Sequence, residues 1–221
     1  MTTHFSIKPH TVHLWRIELS RFSAQLSTLE PLLSADEKER AARFHGVLTR
    51  ERYIVARALL RKILHLYIEI SPEKIVFSYS EKGKPFLSNN AHALYFNVSH
   101  SHDRMICALS TESEIGVDIE KMELDFKENI AKRFFSKEEY AQLENLPKEE
   151  RVTAFYRIWS RKEAVIKAFG AGLFVPMGDK TCHVENFSVH PDYQAAFATF
   201  QPVDAVFYWE WKENQPAVWR T

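Results

Sequence analysis

The chain has 221 residues, 45% hydrophobic and 26% charged, with 29 Lys/Arg balancing 29 Asp/Glu. That apolar fraction, together with 13% aromatics, excludes a disordered chain and suits one or two globular units with real cores. Two cysteines, Cys107 and Cys182, are too few for a disulfide framework or a zinc cluster; there is no secretory h-region and no apolar run of roughly eighteen residues, so no membrane span and a cytoplasmic protein are expected.

The charge is uneven along the chain. Residues 1–110 hold 15 Lys/Arg against 10 Asp/Glu, net +5, and residues 111–221 hold 14 against 19, net −5. A polyanionic ligand would favour the first half and a metal ion the second. No continuous basic stripe is present, so nucleic acid is not an expected partner.

In chain order, Trp15-Arg-Ile-Glu-Leu is strand-like, and Ser34-Ala-Asp-Glu37 is a capping box that opens a helix carrying Lys38, Arg40 and Arg43. A longer helix is expected over Arg52–Leu64, with Thr49 as its cap and Arg50 and Arg52 at its start; free N–H groups and the dipole at such an end attract phosphate. Strand-like runs follow at 75–80, 94–98 and 105–109, and Cys107 in the last of them reads as a buried hydrophobe. Between the first two runs, Lys82-Gly-Lys-Pro85 is a turn. It can offer backbone groups to an adenine edge and Lys84 to a phosphate, although such a turn is by itself an ordinary solvated hairpin. Asn97-Val-Ser-His100-Ser closes a strand with Ser99 and His100 able to meet a ligand. His100 and His102 lack a third zinc ligand, and Ser99 lacks a nucleophile elbow.

Ser110-Thr-Glu-Ser-Glu114 has the polarity of a linker. After it, the alternation in Ile115-Gly-Val-Asp-Ile-Glu120 turns Asp118 and Glu120 to one face of a strand, where they repel unless a cation lies between them. A second capping box, Ser136-Lys-Glu-Glu139, precedes a second long helix through Ala154–Ile166, on which Glu163 and Lys167 share a face at i,i+4. If helix and strand meet, three carboxylates and an ammonium surround one point, a site for Mg²⁺ (or Mn²⁺) bridging phosphates. Taken singly, the strand carboxylates are a solvated edge and Glu163/Lys167 a surface pair of about 0.3–0.5 kcal/mol. Strand-like runs at 187–190, 205–211 and 217–219 close the second half.

The halves repeat at a near-constant offset. Glu18 matches Glu120 and Ser34 matches Ser136 at 102, while Arg61-Lys62 matches Arg161-Lys162 at 100. The expected fold is α+β, with two duplicated, pseudo-symmetric subdomains over 1–112 and 113–221. Only one metal site is expected, because Arg16 and Ile63 stand at the positions equivalent to Asp118 and Glu163.

Gly116-Val-Asp-Ile-Glu120, followed some forty residues later by Trp159-Ser-Arg-Lys-Glu-Ala-Val-Ile-Lys167 and preceded by Asn97-Val-Ser-His-Ser, resembles the 4′-phosphopantetheinyl transferase superfamily. The likeness is greatest to its longer, monomeric members that activate peptide and polyketide synthetases, and it covers about residues 34–175. It implies an active site in the cleft between the halves. The implied reaction moves the phosphopantetheine of coenzyme A to a serine of an apo acyl or peptidyl carrier protein and releases adenosine 3′,5′-bisphosphate. Position by position, it implies Mg²⁺ on Asp118, Glu120 and Glu163, and Lys162 and Lys167 in the final motif, Lys167 at the pyrophosphate. It implies that Arg40, Arg52, Lys84, Pro85, Ser99 and His100 hold the 3′-phosphate and adenosine side. Glu37 departs from relatives that carry lysine there, and Glu139 matches a further acidic position.

Glu163, directly or through a metal-bound water, is the expected general base and Lys167 the charge stabiliser; the nucleophile belongs to the partner. Lys121–Phe126 through Lys132–Phe135 mixes apolar and basic residues, with Met122, Lys132 and Arg133 the expected contacts of an acidic carrier helix. Two other readings use the same residues: a non-catalytic module binding coenzyme A or a carrier, which would have lost its metal carboxylates, and a Mg²⁺-dependent phosphohydrolase of a small nucleotide.

Overall fold

A computed structural model describes residues 4–89, 93–124, 127–170 and 182–219. The first half contains β1 (Thr11–Glu18), α1 (Leu26–Leu29), α2 (Ala35–Ala42), α3 (Val47–Ile68), β2 (Phe77–Tyr79), β3 (Pro85–Leu87), β4 (Tyr95–Ser101) and β5 (Arg104–Ser110). The second contains β6 (Ile115–Lys121), α4 (Glu128–Phe134), α5 (Lys137–Asn145), α6 (Lys148–Phe169), β7 (His183–Phe187), β8 (Tyr193–Thr199), β9 (Ala205–Lys212) and β10 (Gln215–Val218).

A five-stranded sheet runs in the order β10-β9-β1-β5-β4, a three-stranded sheet in the order β6-β8-β7, and β2 and β3 form a hairpin. The five-stranded sheet is covered on both faces, which explains why β5 is apolar at every position from Met105 to Leu109 instead of alternating. Met105, Cys107 and Leu109 point to α3, where Ile54, Leu59 and Ile63 are buried with Trp15 and Ile17. Ile106 and Ala108 point the other way, onto Ile115, Val117, Ile119 and Phe197 of the three-stranded sheet. Each fully buried Leu- or Ile-sized side chain contributes about 1.5–3 kcal/mol. Cys107 is therefore a core residue, and burial pushes its thiol up.

The fourth layer is α6. Ala164 and Ala168 lie on Ala196 and Ala198 of β8, and small side chains allow the close approach. At Gly116 the contact is backbone on backbone: an added Cβ would lie 2.0 Å from Ala164 O and 2.3 Å from Ala168 N.

Both capping boxes form. Ser34 N–H donates to Glu37 Oε2 (3.0 Å), and Ser136 and Glu139 exchange bonds of 2.7 and 3.1 Å. Other features depart from the sequence reading. Helix α3 begins at Val47 behind Gly46, without a side-chain cap, so Arg50 N–H is already bonded to Gly46 O (3.0 Å) and Arg50 and Arg52 do not stand at a free helix end. Helix α6 starts six residues before Ala154, directly behind Pro147, which ends the preceding segment. No strand forms at the expected 187–190 beyond Phe187: β7 ends there, and residues 188–190 belong to the connection to β8. The expected list lacked β8 altogether: Tyr-Gln-Ala-Ala-Phe-Ala-Thr is poor in β-formers, yet it is the central strand beneath α6, where only small residues fit.

The run expected to close the second half, β9, instead lies parallel to β1, with Trp15 opposite Trp209, and β10 follows it. The cause is aromatic burial. Trp209 stacks with Trp15 (5.8 Å between centroids) and meets Phe5 edge-on (4.8 Å). No helix among the described residues is long and apolar enough to cross a membrane.

Candidate active site

Because α6 touches β6 at Gly116, the turn of α6 carrying Lys167 lies against the strand carrying Asp118. Lys167 Nζ donates to Asp118 Oδ1 (2.6 Å) and to Ser99 Oγ (3.0 Å), and Ser99 Oγ itself donates to Asp118 Oδ1 (3.1 Å). Asp118 is 3% exposed, and its Oδ2 is buried without a hydrogen-bond partner, a costly state for a carboxylate. Glu120 Oε2 accepts from Ser101 Oγ (3.3 Å). Burial first and the charge of Asp118 second raise both Glu120 and Glu163 above the usual carboxylate range, and the Lys167 ammonium partly offsets this.

This donor set suits a hard divalent cation: three acidic side chains, one buried oxygen without a partner, and mutual repulsion that positive charge relieves. It is not a preformed cage. Among the described residues no three His, Cys, Asp or Glu side chains are grouped as a metal site, and the ammonium of Lys167 is the cation paired with Asp118.

Strand β4 brings Ser99 to this point in an unusual way. Its side chains, not its backbone, bond the free edge of β6. Asn97 Oδ1 accepts from Val117 N–H (2.9 Å), Ser99 Oγ from Ile119 N–H (3.4 Å) and Ser101 Oγ from Lys121 N–H (3.1 Å). The site thus lies where the two sheets join.

The family model of the 4′-phosphopantetheinyl transferase superfamily matches residues 114–218, and that of the N-terminal region of 4′-phosphopantetheinyl transferase matches residues 13–113. The 4′-phosphopantetheinyl transferase HetI of Nostoc sp. is 41% identical over 73% of this chain and 70% of its own length. The corresponding figures are 30%, 90% and 92% for psf-1 of Bacillus pumilus, and 32%, 77% and 83% for Sfp of Bacillus subtilis. The chain belongs to the 4′-phosphopantetheinyl transferase superfamily.

In this transferase the remaining sequence-selected residues have mixed surroundings. His100 is exposed near the end of β4; partial loss of hydration, then the Lys167 charge, holds its imidazole below the usual histidine value. Arg52 lies 3.9 Å from Asp103 Oδ1, and its Nε is buried without a hydrogen-bond partner. Arg40 is exposed over the Tyr53 ring, 5.7 Å from its centroid. Lys84 is bound to the protein itself: Nζ donates to Glu114 Oε2 (2.6 Å), Ile115 O (3.1 Å) and Lys167 O (3.0 Å). That cation ties the β2–β3 hairpin, where Gly83 takes φ +79° and Pro85 begins β3, to the C-terminal turn of α6. Lys162 pairs with Glu139 (2.8 Å), joining α6 to α5.

On the side of α4, a cavity of about 110 Å³ opens beside Glu120, lined among others by Ser101, Ile130, Tyr156 and Trp159. Met122 packs against the same aromatic cluster as Ile130 and Trp159. Phe135 is buried and stacks on Phe155, while Phe134 is half-buried against Trp159. Lys132 pairs with Glu128 (2.7 Å), and Arg133 lies over the Phe134 ring. Asp125 and Phe126 of the expected docking segment lie outside the described residues.

Sequence reasoning overlooked Ser101 and the structural roles of Asn97 and Gly116. A signal was available: Asn97, Ser99 and Ser101 recur at every second position, which puts three hydrogen-bonding side chains on one face of a strand.

Proposed function

We propose that this transferase moves the 4′-phosphopantetheine of coenzyme A to a serine hydroxyl of an apo acyl or peptidyl carrier protein, releasing adenosine 3′,5′-bisphosphate, in a Mg²⁺-dependent reaction of a cytoplasmic monomer. The observation that carries the reading is the Asp118–Lys167–Ser99 cluster at the junction of the halves, in a chain of this family. Asp118, Glu120 and Glu163 would hold the ion, whose chemistry is to neutralise charge developing on the phosphates. Lys167 supplies positive charge at the diphosphate. Glu163 is the general base for the serine proton; burial, then the Asp118 charge, raises its carboxyl above the usual carboxylate range in the free protein. The rest is positioning in line. In this reading residues 1–112 supply the coenzyme side and residues 113–221 the carboxylates and catalytic helix. Arg52, whose Nε is buried beside Asp103 without a hydrogen-bond partner, and His100 face the 3′-phosphate.

The test is to mix protein, coenzyme A, Mg²⁺ and several apo carriers and weigh the carriers by mass spectrometry. Phosphopantetheine addition that chelation abolishes is expected. Coenzyme breakdown without carrier modification would favour a phosphohydrolase, and binding without either a coenzyme-binding module.

Two further outcomes follow. His100 is neutral at pH 7 in the free protein, because its imidazole is held below the usual value; a 3′-phosphate would draw a proton onto it. Coenzyme A should therefore bind with proton uptake and tighten as pH falls from 8 to 6 more than its 3′-dephospho form does. His100→Ala should remove that difference, as calorimetry in buffers of different ionisation enthalpy would reveal. At the acceptor side, Lys132→Glu with Arg133→Glu should raise KM for the carrier at low salt and leave KM for coenzyme A unchanged. Steady-state kinetics with unaltered carrier KM would move docking to another surface.

A further inference from the structure

We propose that Asn97 and Ser101 are positioning residues for the reaction: they hold β6 in register against β4 and so fix Asp118 and Glu120 opposite Ser99 and Ser101. The inference rests on the reading of Asp118, Glu120 and Glu163 as cation ligands.

Among the described residues strand β6 has one strand neighbour, β8. Its other edge presents the N–H groups of Val117, Ile119 and Lys121 to the interior of the joint, where an unpaired donor is costly. Each is met by the side chain twenty residues earlier: 97 with 117, 99 with 119, 101 with 121. Backbone pairing between β4 and β6 would satisfy the same groups without any particular side chain. Here the satisfaction depends on three side chains, so the alignment of the two sheets is encoded in their identity.

Two rungs have a second bond, again at constant spacing. The hydroxyl that accepts Ile119 N–H donates to Asp118, and the hydroxyl that accepts Lys121 N–H donates to Glu120. A serine hydroxyl has one proton to give and lone pairs to receive, so each rung serves both bonds at once. Rung n thus orients carboxylate n + 19. For Asn97 that position is Gly116, which has no side chain; Asn97 reports register alone, and Ser101 reports register together with the orientation of Glu120. Neither reaches the reacting atoms. Their effect passes through β6, as outer-sphere partners act on metal ligands.

The test separates metal affinity from coenzyme affinity. Mn²⁺ binding is followed by electron paramagnetic resonance with coenzyme A present, and coenzyme A binding by calorimetry without metal. For Ser101→Ala and Asn97→Ala, the Mn²⁺ Kd and 1/kcat should rise about tenfold, with metal-free coenzyme A affinity preserved. The Val117, Ile119 and Lys121 amides should exchange faster with solvent. Ser101→Thr, which keeps the hydroxyl, should restore Mn²⁺ affinity and kcat. A folded Ser101→Ala protein with a lower Tm and wild-type Mn²⁺ Kd and kcat would show a purely structural rung and overturn the proposal. If Asn97→Ala does not fold, Asn97→Asp, which keeps the acceptor, must restore both folding and Mn²⁺ affinity, or the register role fails. Wild-type protein that binds no Mn²⁺ with coenzyme A present overturns the cation reading and this inference with it. Variants that match a wild type which does bind overturn this inference alone.

Discussion

Glu163→Gln protein is expected to transfer phosphopantetheine at least about 10³-fold more slowly than wild type, within the range spanned by loss of a positioned general base. The substitution keeps side-chain size and leaves α6 intact. It removes one of the repelling carboxylates, so Tm should rise slightly: Glu163 is raised by burial and by Asp118, and a neutral amide avoids both costs. Single-turnover mass spectrometry of the carrier checks the rate, and calorimetry checks Tm. Transfer within tenfold of wild type would remove Glu163 as base. Asp118→Ala is a less clean probe. From sequence alone its removal reads as relief of repulsion that leaves the fold intact; with Lys167 Nζ at 2.6 Å the reading reverses, because the deletion strands an ammonium. Breaking a buried pair costs about 3–5 kcal/mol, and the lower end applies because Lys167 is 29% exposed.

The second large effect is expected from Gly116→Ala, a single methyl group with no acid–base chemistry of its own. The new Cβ would lie 2.0 Å from Ala164 O and 2.3 Å from Ala168 N. Both are backbone atoms of a 22-residue helix, so no side chain can swing aside and α6 must move bodily. Overpacking of this kind costs about 1–3 kcal/mol or more. Displacing Glu163 and Lys167 from Asp118 by about 1 Å should lower transfer about 10²-fold. Gly46→Ala is the control, since its Cβ meets only the Thr49 hydroxyl at 3.3 Å, a side chain that can rotate. Tm and single-turnover rates of both variants provide the check; Gly116→Ala with near-wild-type rate would show that α6 need not sit so close.

What was legible in the sequence is what has a short period. Alternation placed Asp118 and Glu120 on one strand face, i,i+4 spacing put Glu163 and Lys167 on one helix face, and the Ser-x-x-Glu boxes marked two helix starts. What was not legible depends on a partner remote in sequence. A lysine in a hairpin turn carries no sign that its ammonium will be enclosed by Glu114 and the carbonyls of Ile115 and Lys167. Lys162 likewise gives no hint of Glu139. Gly116 looks like strand flexibility until α6 is laid on it. The apolar pattern of β9 fits either sheet, and only the fit of Trp209 against Trp15 and Phe5 decides between them.

The pairing of β9 with β1 also sets a clock. Arg16 and Glu210, which bridge the two strands at 3.0 Å, are 194 residues apart. Closing so long a loop adds little to the equilibrium cost, because loop entropy grows only logarithmically with length. It matters during synthesis. At about 5–20 residues per second, roughly 10–40 s separate the emergence of β1 from that of β9. Through that interval β1 lacks its parallel neighbour and Trp15 lacks its stacked ring, an open sheet edge of the kind that recruits strands from other chains. An arrested chain ending before Ala205 should aggregate on release, where one extended past Val218 should not.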